Sequence, residues 1–199
     1  MMHPDSELKF VNEQVGLGVF ATTFIPQGTI VYADDPLDIT LHPDNPILQN
    51  PILRPTIDKY AVIEPGNKRV LAWDISRYVN HCCHCNIIST GYGFEIAVRD
   101  IQPGEEIRDE YGIFNLGWTM ALSCSCPEKC RGYLLPDDFD HFYAMWDEQI
   151  QAALKQALNV EQPLWNLLDE ATAVAITHYI QTGQNYKSVT ALKTVISEP

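Results

Sequence analysis

Turn-forming residues restrict the fold of this chain more than any other feature of its sequence. In the first half, glycine and proline turns separate apolar segments that are too short to form helices. The five prolines between Asp34 and Pro55 remove backbone donors, so an irregular insertion is expected there. We predict short strands for the apolar segments at residues 7–11, 19–24, 29–32, 68–73 and 94–98, and another after the Pro103-Gly104 turn.

The pattern changes to helical periodicity near Asp137. Apolar residues then recur at intervals of three or four, Asp137 or Asp138 can cap the first helix, and Gly183 suits the end of a later one. The acidic residues of this tail favour a solvated helical face over a docking surface. We predict helices over residues 137–158, 163–183 and 186–196. The fold class is therefore expected to be α+β, with a β-rich part and a helical C-terminal appendage over residues 135–199.

The charge of the chain excludes one class of function. It carries 26 acidic and 13 basic side chains, a formal net charge of −13. Binding of nucleic acid through a general basic surface needs clustered lysine and arginine, which this chain lacks, whereas a basic protein would complement its charge. No apolar run approaches the roughly 18 residues of a membrane span, and the first residues do not resemble a signal peptide. We expect a protein of a reducing intracellular compartment, the cytoplasm or the nucleus, without membrane contact.

The six cysteines fall into two tight groups, Cys82, Cys83 and Cys85, then Cys124, Cys126 and Cys130. Cysteines one or two residues apart rarely bridge each other, whereas such spacing lets thiolates converge on one ion. The grouping favours a metal site over disulfides. Zinc is the preferred ion, and an iron–sulfur cluster is the alternative.

Four motifs occur in a fixed order along the chain. A glycine pair alone is weak evidence, and no βαβ unit follows it as a dinucleotide site would require. The order and spacing of the four carry the information. They are Gly16-Leu17-Gly18-Val19-Phe20-Ala21, Arg77-Tyr78-Val79-Asn80-His81-Cys82-Cys83-His84-Cys85-Asn86, Gly104-Glu105-Glu106-Ile107-Arg108-Asp109-Glu110-Tyr111-Gly112 and Cys124-Ser125-Cys126-Pro127-Glu128-Lys129-Cys130.

Together these motifs resemble the SET-domain protein lysine methyltransferases, with a C-terminal segment like the family's post-SET zinc motif. The second motif is similar to the family's R-F-x-N-H-S-C-x-P-N, and the third to its G-E-E-L-x-Y-D-Y. The resemblance covers about residues 7–134. It implies a SET-like catalytic domain over 1–122 with a variable insertion at about 35–70, a post-SET-like zinc segment over 123–134, and the tail.

The resemblance also implies a curved β-clip fold with a knot-like core, in which the Asn-His segment passes beneath a loop near the third motif. It implies S-adenosyl-L-methionine as the methyl donor and Tyr111 as the tyrosine at the methyl-transfer point. The residues that it implies for cofactor binding are Gly16, Leu17, Gly18, Tyr78, Asn80 and His81.

The same resemblance supplies Cys83 as the fourth zinc ligand beside Cys124, Cys126 and Cys130, which completes a closed tetrahedral site. The local pattern departs from the family, because three residues separate the second and third cysteines of the last group where the family has four. Three other side chains of the second motif therefore stay open as substitute ligands, namely Cys82, His84 and Cys85.

Asp109 is a larger departure, because the family usually has tyrosine or phenylalanine there, lining the lysine channel. An aspartate would bring a negative charge or a bound water to the amine. Glu110 replaces the family's aspartate, and we interpret it as a hydrogen-bonding or ion-pair residue. The number of methyl groups added cannot be read from these residues.

The function predicted from sequence is transfer of a methyl group from S-adenosyl-L-methionine to a lysine of a protein, a histone or another basic protein. Such transfer is an in-line displacement, so the enzyme must align amine, methyl and sulfur and receive the lysine as a free amine. Two alternatives remain: a catalytically inactive SET-like module that binds protein or cofactor, and a zinc-stabilised interaction protein.

Overall fold

The computed structural model describes residues 1–64, 66–114, 116–122 and 130–193. Its strands are β1 (Ser6–Asn12), β2 (Gly16–Ala21), β3 (Ile30–Ala33), β4 (Ile39–Leu41), β5 (Val62–Glu64), β6 (Lys68–Leu71), β7 (Asn80–His81), β8 (Ile87–Ser89), β9 (Phe94–Ala97), β10 (Glu106–Asp109), β11 (Met120–Ala121) and β12 (Tyr133–Leu134). Its α-helices are α1 (Arg54–Tyr60), α2 (Asp138–Leu154) and α3 (Glu170–Thr182). Short 3-10 helices lie at Pro46–Gln49, Ile75–Tyr78, Tyr111–Phe114, Ala157–Asn159, Trp165–Leu167 and Val189–Leu192.

A four-stranded sheet in the order β1-β2-β10-β7 joins the first three sequence motifs. Strands β1, β2 and β10 pair antiparallel, whereas β10 pairs parallel with β7, Arg108 opposite Asn80 and Asp109 opposite His81. Parallel neighbours need a long connection, and here the chain between them forms β8 and β9. The Asn-His segment and the third motif therefore lie side by side, while the knot-like threading stays a prediction.

A three-stranded sheet in the order β3-β9-β8 supports the helical tail. Its buried residues Phe94 and Ile96 belong to one hydrophobic cluster with Trp146 and Ile150 of α2 and Ile176 of α3. The tail and the sheet therefore share a core, and the tail is more closely integrated than the predicted appendage.

Polar contacts fix the tail to the sheet and hold the end of the tail against its own first helix. The backbone N–H of Ile30 donates to Gln162 Oε1 at 2.8 Å, and Gln162 Nε2 donates to the carbonyl of Gly28 at 2.7 Å. The buried Asp147 carboxylate accepts from Tyr186 Oη at 2.7 Å, Ser188 Oγ at 2.6 Å and the N–H of Val189 at 2.9 Å. These bonds hold the end of the described chain against α2.

The second predicted helix begins later than expected. Residues 165–167 form a 3-10 turn, and α3 starts only after Asp169, whose side chain accepts from the N–H of Thr172 at 2.9 Å. Gly183 ends it in the left-handed conformation with φ 70°, as predicted. The predicted third helix is reduced to a 3-10 turn at Val189–Leu192, and residues 194–199 lie outside the described part.

The insertion is more ordered than the prolines predicted. Strands β4, β6 and β5 form a small antiparallel sheet, and α1 packs beside it around Leu41, Leu48 and Ile57. Pro55 lies in the first turn of α1, where a missing N–H breaks no hydrogen bond, so this proline is compatible with a helix. The expectation of an irregular segment was therefore wrong for this part. Across the described residues, none of the helices has both the length and the apolar character required to cross a bilayer.

Candidate active site

Tyr111 lies between two cavities. The smaller has a volume of about 200 Å³ and is lined by residues that include Asn80, His81, Glu106 and Arg108. The larger has a volume of about 730 Å³, and its lining includes Tyr32, Asp34, Glu95, Asp109 and Trp118. Tyr111 and Met120 line both. A side chain in this position can contact two bound molecules at once.

Tyr111 is held in place through both its backbone and its side chain. Its backbone N–H donates to His81 Nδ1 at 3.1 Å, and its hydroxyl donates to the carbonyl of Val79 at 2.5 Å. Burial raises the pKa of the phenol, and the negative charges of Asp109 and Glu95 raise this pKa further. The phenol therefore stays neutral, with its proton engaged by Val79 and its oxygen lone pairs able to accept a hydrogen bond.

His81 is a neutral imidazole. Burial, followed by the positive charge of Arg131, lowers the pKa of His81 to about 4. Because Nδ1 accepts from Tyr111, the ring proton sits on Nε2, which lies 3.5 Å from Cys83 Sγ. Glu110 Oε1 is 3.8 Å from Nδ1, but a neutral ring forms no ion pair with it.

Asn80 ties the glycine segment to β10. Its Nδ2 donates to the carbonyl of Leu17 at 3.0 Å and to Glu106 Oε1 at 2.8 Å. A Cβ on Gly18 would lie 2.6 Å from Glu106 Oε1 and 2.9 Å from Asn80 Nδ2, so this position accepts only glycine without rearrangement. Asn80 and His81 line the smaller cavity, whereas Gly16, Leu17 and Gly18 stand behind Asn80 and are outside that lining.

Tyr78 lies away from both cavities. Its ring meets that of Tyr60 edge to face, with centroids 5.3 Å apart, and it packs against the buried cluster around β2. The structure therefore does not place Tyr78 with Asn80 and His81, although all three were predicted to bind the cofactor.

Two residues of the site were missed by the sequence reasoning. Arg108 lines the smaller cavity, and its Nε has no hydrogen-bond partner among the described residues. Asn86 is fully buried, and its side chain donates to the carbonyl of Glu106 at 2.8 Å and accepts from the N–H of Arg108 at 2.8 Å. Arg108 is the only basic residue of the third motif, and this isolated positive charge among acids could have marked it as a binding residue.

Asp109 and Glu95 place two carboxyl groups in the larger cavity. Asp109 is 1% exposed; its Oδ1 accepts from the N–H of Glu110 at 2.7 Å, and its Oδ2 has no hydrogen-bond partner in the described structure. Burial, followed by the charge of Glu95, raises the pKa of Asp109 well above its usual value. Burial, followed by the charge of Asp34, raises the pKa of Glu95 to about 7. Asp109 therefore favours its neutral form, which changes the expectation of a negative charge at this position.

An ion-pair network links Glu110, the residue before Tyr111, to α2. Arg131 Nη2 donates to Glu110 Oε1 at 2.5 Å, and Nη1 donates to Asp138 Oδ2 at 3.2 Å. The guanidinium also stacks over the ring of Phe142, 4.8 Å from its centroid. The interpretation of Glu110 as an ion-pair residue is confirmed.

The two cysteine groups approach each other at one described pair. Cys83 Sγ and Cys130 Sγ are 3.5 Å apart, and two thiolates bound to one zinc at about 2.3 Å lie roughly 3.8 Å apart. Cys124 and Cys126 lie outside the described residues. Within the described part, no three histidine, cysteine or acidic side chains are grouped as a metal site would require. The pair fits half of the predicted zinc site.

No curated protein matches the chain. Among solved structures, a Plasmodium falciparum protein described as a histone methyltransferase has a TM-score of 0.40 at 17% identity, covering 55% of this chain and 95% of that one. The methyltransferase domain of human histone-lysine N-methyltransferase SETMAR has a TM-score of 0.43 at 19% identity, covering 68% of this chain and 58% of that one. Residues 16–112, just under half of the chain, match the family model of the SET domain.

Proposed function

We propose that the chain is a protein lysine methyltransferase that uses S-adenosyl-L-methionine. The observation that carries this proposal is the position of Tyr111, which lines both cavities within the segment that matches the SET domain. A transferase needs its donor and acceptor on two sides of one reacting point. Tyr111 is the residue that we assign to that point.

The smaller cavity suits the amino-acid part of the donor. Glu106 and Arg108 present opposite charges there, with Arg108 Nε 3.9 Å from Glu106 Oε2. A carboxylate and an ammonium on one ligand would each find a complementary group, with Asn80 and His81 beside them. When bound, S-adenosyl-L-methionine supplies an electrophilic methyl group on a sulfonium. The chain itself contributes binding and orientation.

The larger cavity suits the acceptor. Its wall holds the carboxyl groups of Asp34, Glu95 and Asp109, and the charged forms of Asp34 and Glu95 attract a cationic side chain. The Tyr111 oxygen can accept a hydrogen bond from an amine, because its own proton is directed to Val79. An amine held this way is aligned for in-line attack.

We also propose that zinc bound by Cys83, Cys124, Cys126 and Cys130 holds the post-SET-like segment against the site. The 3.5 Å approach of Cys83 to Cys130 supports this assignment. The backbone N–H of Arg131, the residue after Cys130, points to Cys83 Sγ at 3.4 Å. Arg131 then reaches Glu110, so a closed zinc site would fix the ion-pair network beside Tyr111.

The substrate class that we propose is a basic protein, for which a histone is one candidate, in a reducing compartment. The net charge of −13 supports attraction of such a protein and opposes binding of nucleic acid. The alternative is a catalytically inactive SET-like module, because the family's usual channel tyrosine or phenylalanine is replaced by Asp109.

Incubation with S-adenosyl-L-methionine labelled in its methyl group, and a panel of lysine-rich proteins that includes histones, tests the proposal. Transfer that is abolished when the substrate lysines are replaced by arginine supports the enzyme. Calorimetric binding of the cofactor without transfer to any protein of the panel would instead support the inactive module.

A further inference from the structure

Glu95 occupies an unusual place for a charged residue. It lies in β9, the central strand of its sheet, between Phe94 and Ile96, which are both in the core. Because neighbouring side chains of a strand point to opposite faces, Glu95 faces away from the core and lines the larger cavity. Its side chain accepts one hydrogen bond among the described residues, a long one of 3.5 Å from Ser89 Oγ. A charged carboxylate with so few partners lowers the stability of the fold, because burial of a charge is costly unless the charge is paired and hydrogen-bonded.

Asp109 provides an independent sign of a ligand. Asp109 lines the same cavity, and its Oδ2 is buried and has no hydrogen-bond partner among the described residues. Buried polar atoms without partners are rare in folded proteins, and each requires an explanation. A bound substrate with a nitrogen at its tip would supply the missing partner.

Three of the basic side chains around the cavity form ion pairs, and the other two, Lys59 and Arg77, lie over the rings of Tyr60 and Tyr78. Arg54 and Arg69 pair with Asp58 at 2.6 Å and 3.7 Å, and Lys68 pairs with Glu64 at 3.3 Å. These ion pairs lie within the insertion. Among the described residues, no basic side chain forms an ion pair with Glu95 or Asp109, which line the cavity together with Tyr111.

We propose that the carboxylate of Glu95 accepts the proton that the substrate ammonium must lose before methyl transfer, with Asp109 as its neutral partner. This inference rests on the proposed transfer to an amine. An N–H bond of the ammonium breaks and an O–H bond forms on Glu95, which leaves a lone pair on nitrogen. That lone pair attacks the methyl carbon of the sulfonium donor, and the carbon–sulfur bond electrons stay on sulfur. Glu95 then releases its proton to solvent through the cavity.

Several charged or titratable groups face Glu95. They are Tyr32 of β3, Asp34 directly after that strand, Asp109 of β10, Tyr111 after it, and the N-terminal ammonium of Met1. The acids favour retention of a proton in this group, and the ammonium opposes them. Together with burial they hold the pKa of Glu95 at about 7, which suits a base that works near neutral pH.

The pH dependence of kcat and KM in Glu95→Gln tests the proposal. Loss of a positioned base is expected to lower kcat by about a hundredfold at neutral pH. The deficit should shrink as the pH approaches about 10, where a lysine amine in water becomes free without a base. The direction of the change in kcat distinguishes two roles of Glu95. If its carboxylate only stabilised the substrate ammonium, Glu95→Gln would have a higher kcat than wild type at neutral pH.

Glu64→Gln is the matched control, because Glu64 lines the same cavity and carries the same charge. It is expected to alter KM while the pH profile of kcat stays that of wild type. A wild-type kcat profile in Glu95→Gln, or a similar loss of kcat in both variants, would overturn the assignment of Glu95. Failure of the wild-type protein to transfer methyl at any pH would instead overturn the proposed function.

A titration of the cofactor-free protein provides a second readout. NMR of protein labelled with ¹³C at glutamate carboxyl groups should show one signal titrating near pH 7 that Glu95→Gln removes. A Glu95 signal that titrates at the ordinary glutamate value of 4.5 would contradict the proposed role even if the variant were inactive. Melting curves of both variants establish that they fold.

Discussion

The hydroxyl of Tyr111 donates to the main-chain carbonyl of Val79 at 2.5 Å. Val79 immediately precedes the Asn80-His81 pair, and His81 in turn accepts the N–H of Tyr111. The two motifs therefore hold each other in place through both the backbone and the side chain of the tyrosine. This arrangement fixes the phenol oxygen between the cavities and leaves only its lone pairs for a ligand.

Replacement of Tyr111 by phenylalanine is expected to reduce methyl transfer by about two to three orders of magnitude, as for a lost oriented polar group at a reacting centre. The ring keeps its packing, and the lost hydrogen bond costs about 1 kcal/mol of folding free energy. Transfer of labelled methyl groups and urea unfolding measure the two effects. The control is Tyr143→Phe on the exposed face of α2. Equal activity of both variants would remove Tyr111 from the chemistry.

Zinc content can be checked directly. Elemental analysis of protein purified under reducing conditions should give about one zinc per chain, as a closed thiolate site predicts. Cys83→Ser and Cys130→Ser should lose the metal. Cys85→Ser is a control from the same motif, since burial raises the pKa of the Cys85 thiol well above its usual value and so opposes a thiolate. If Cys83→Ser retained zinc and Cys85→Ser lost it, Cys85 and not Cys83 would be the ligand. Metal-free wild-type protein would exclude the zinc site.

Asp147 is expected to stabilise the whole tail. Asp147→Ala removes the acceptor of three hydrogen bonds at 2.6 to 2.9 Å, from Tyr186, Ser188 and Val189. The expected loss of unfolding free energy is about 2 to 4 kcal/mol, because the donors are left unsatisfied. The neighbouring exposed Glu148→Ala should change it by less than about 0.5 kcal/mol. Urea unfolding of both proteins measures these changes in the free energy of unfolding. Equal values for the two variants would show that the Asp147 hydrogen bonds do not stabilise the tail.

Glu95 is expected to make the fold less stable as the pH rises. Its pKa is about 7 in the folded chain against 4.5 for an ordinary glutamate. Between these values the unfolded chain has lost the proton that the folded chain keeps, so folding binds a proton and stability falls with rising pH. Glu95→Gln should therefore exceed wild type in unfolding free energy at pH 8, with a smaller difference at pH 4.5. Parallel denaturation curves at the two pH values check this, and an unchanged difference would contradict the burial argument.

Local patterns made some of the strands predictable, whereas β4, β5, β7, β8, β11 and β12 were not predicted. Residues 7–11, 29–32 and 94–98 were each assigned within about two residues of β1, β3 and β9, because glycine and proline turns mark their ends. Gly183 was recognised as the end of α3 for the same reason. The insertion was misjudged because its prolines were counted without regard to position, although Pro55 falls where a helix tolerates it.

The site was only partly predictable. Asn80, His81 and Tyr111 came from their motifs, and the structure brings them together. Tyr78 shares the motif but turns to Tyr60, because a motif does not specify the direction of each side chain. Glu95 could not be recognised from the sequence, since a single acid between two apolar residues is ordinary in any strand. Only the folded structure shows that it lines a cavity.

Strand β9 has a consequence for where the protein can be shortened. One of its faces packs on α2 and α3, and the other carries Glu95 into the larger cavity. A fragment cut at the limits of the SET match, residues 16–112, would strip the inner face of its cover and leave apolar side chains in water. Helices α2 and α3 therefore support the strand that carries Glu95 into the larger cavity. A homologue with a different tail would need another element to cover the inner face of that strand.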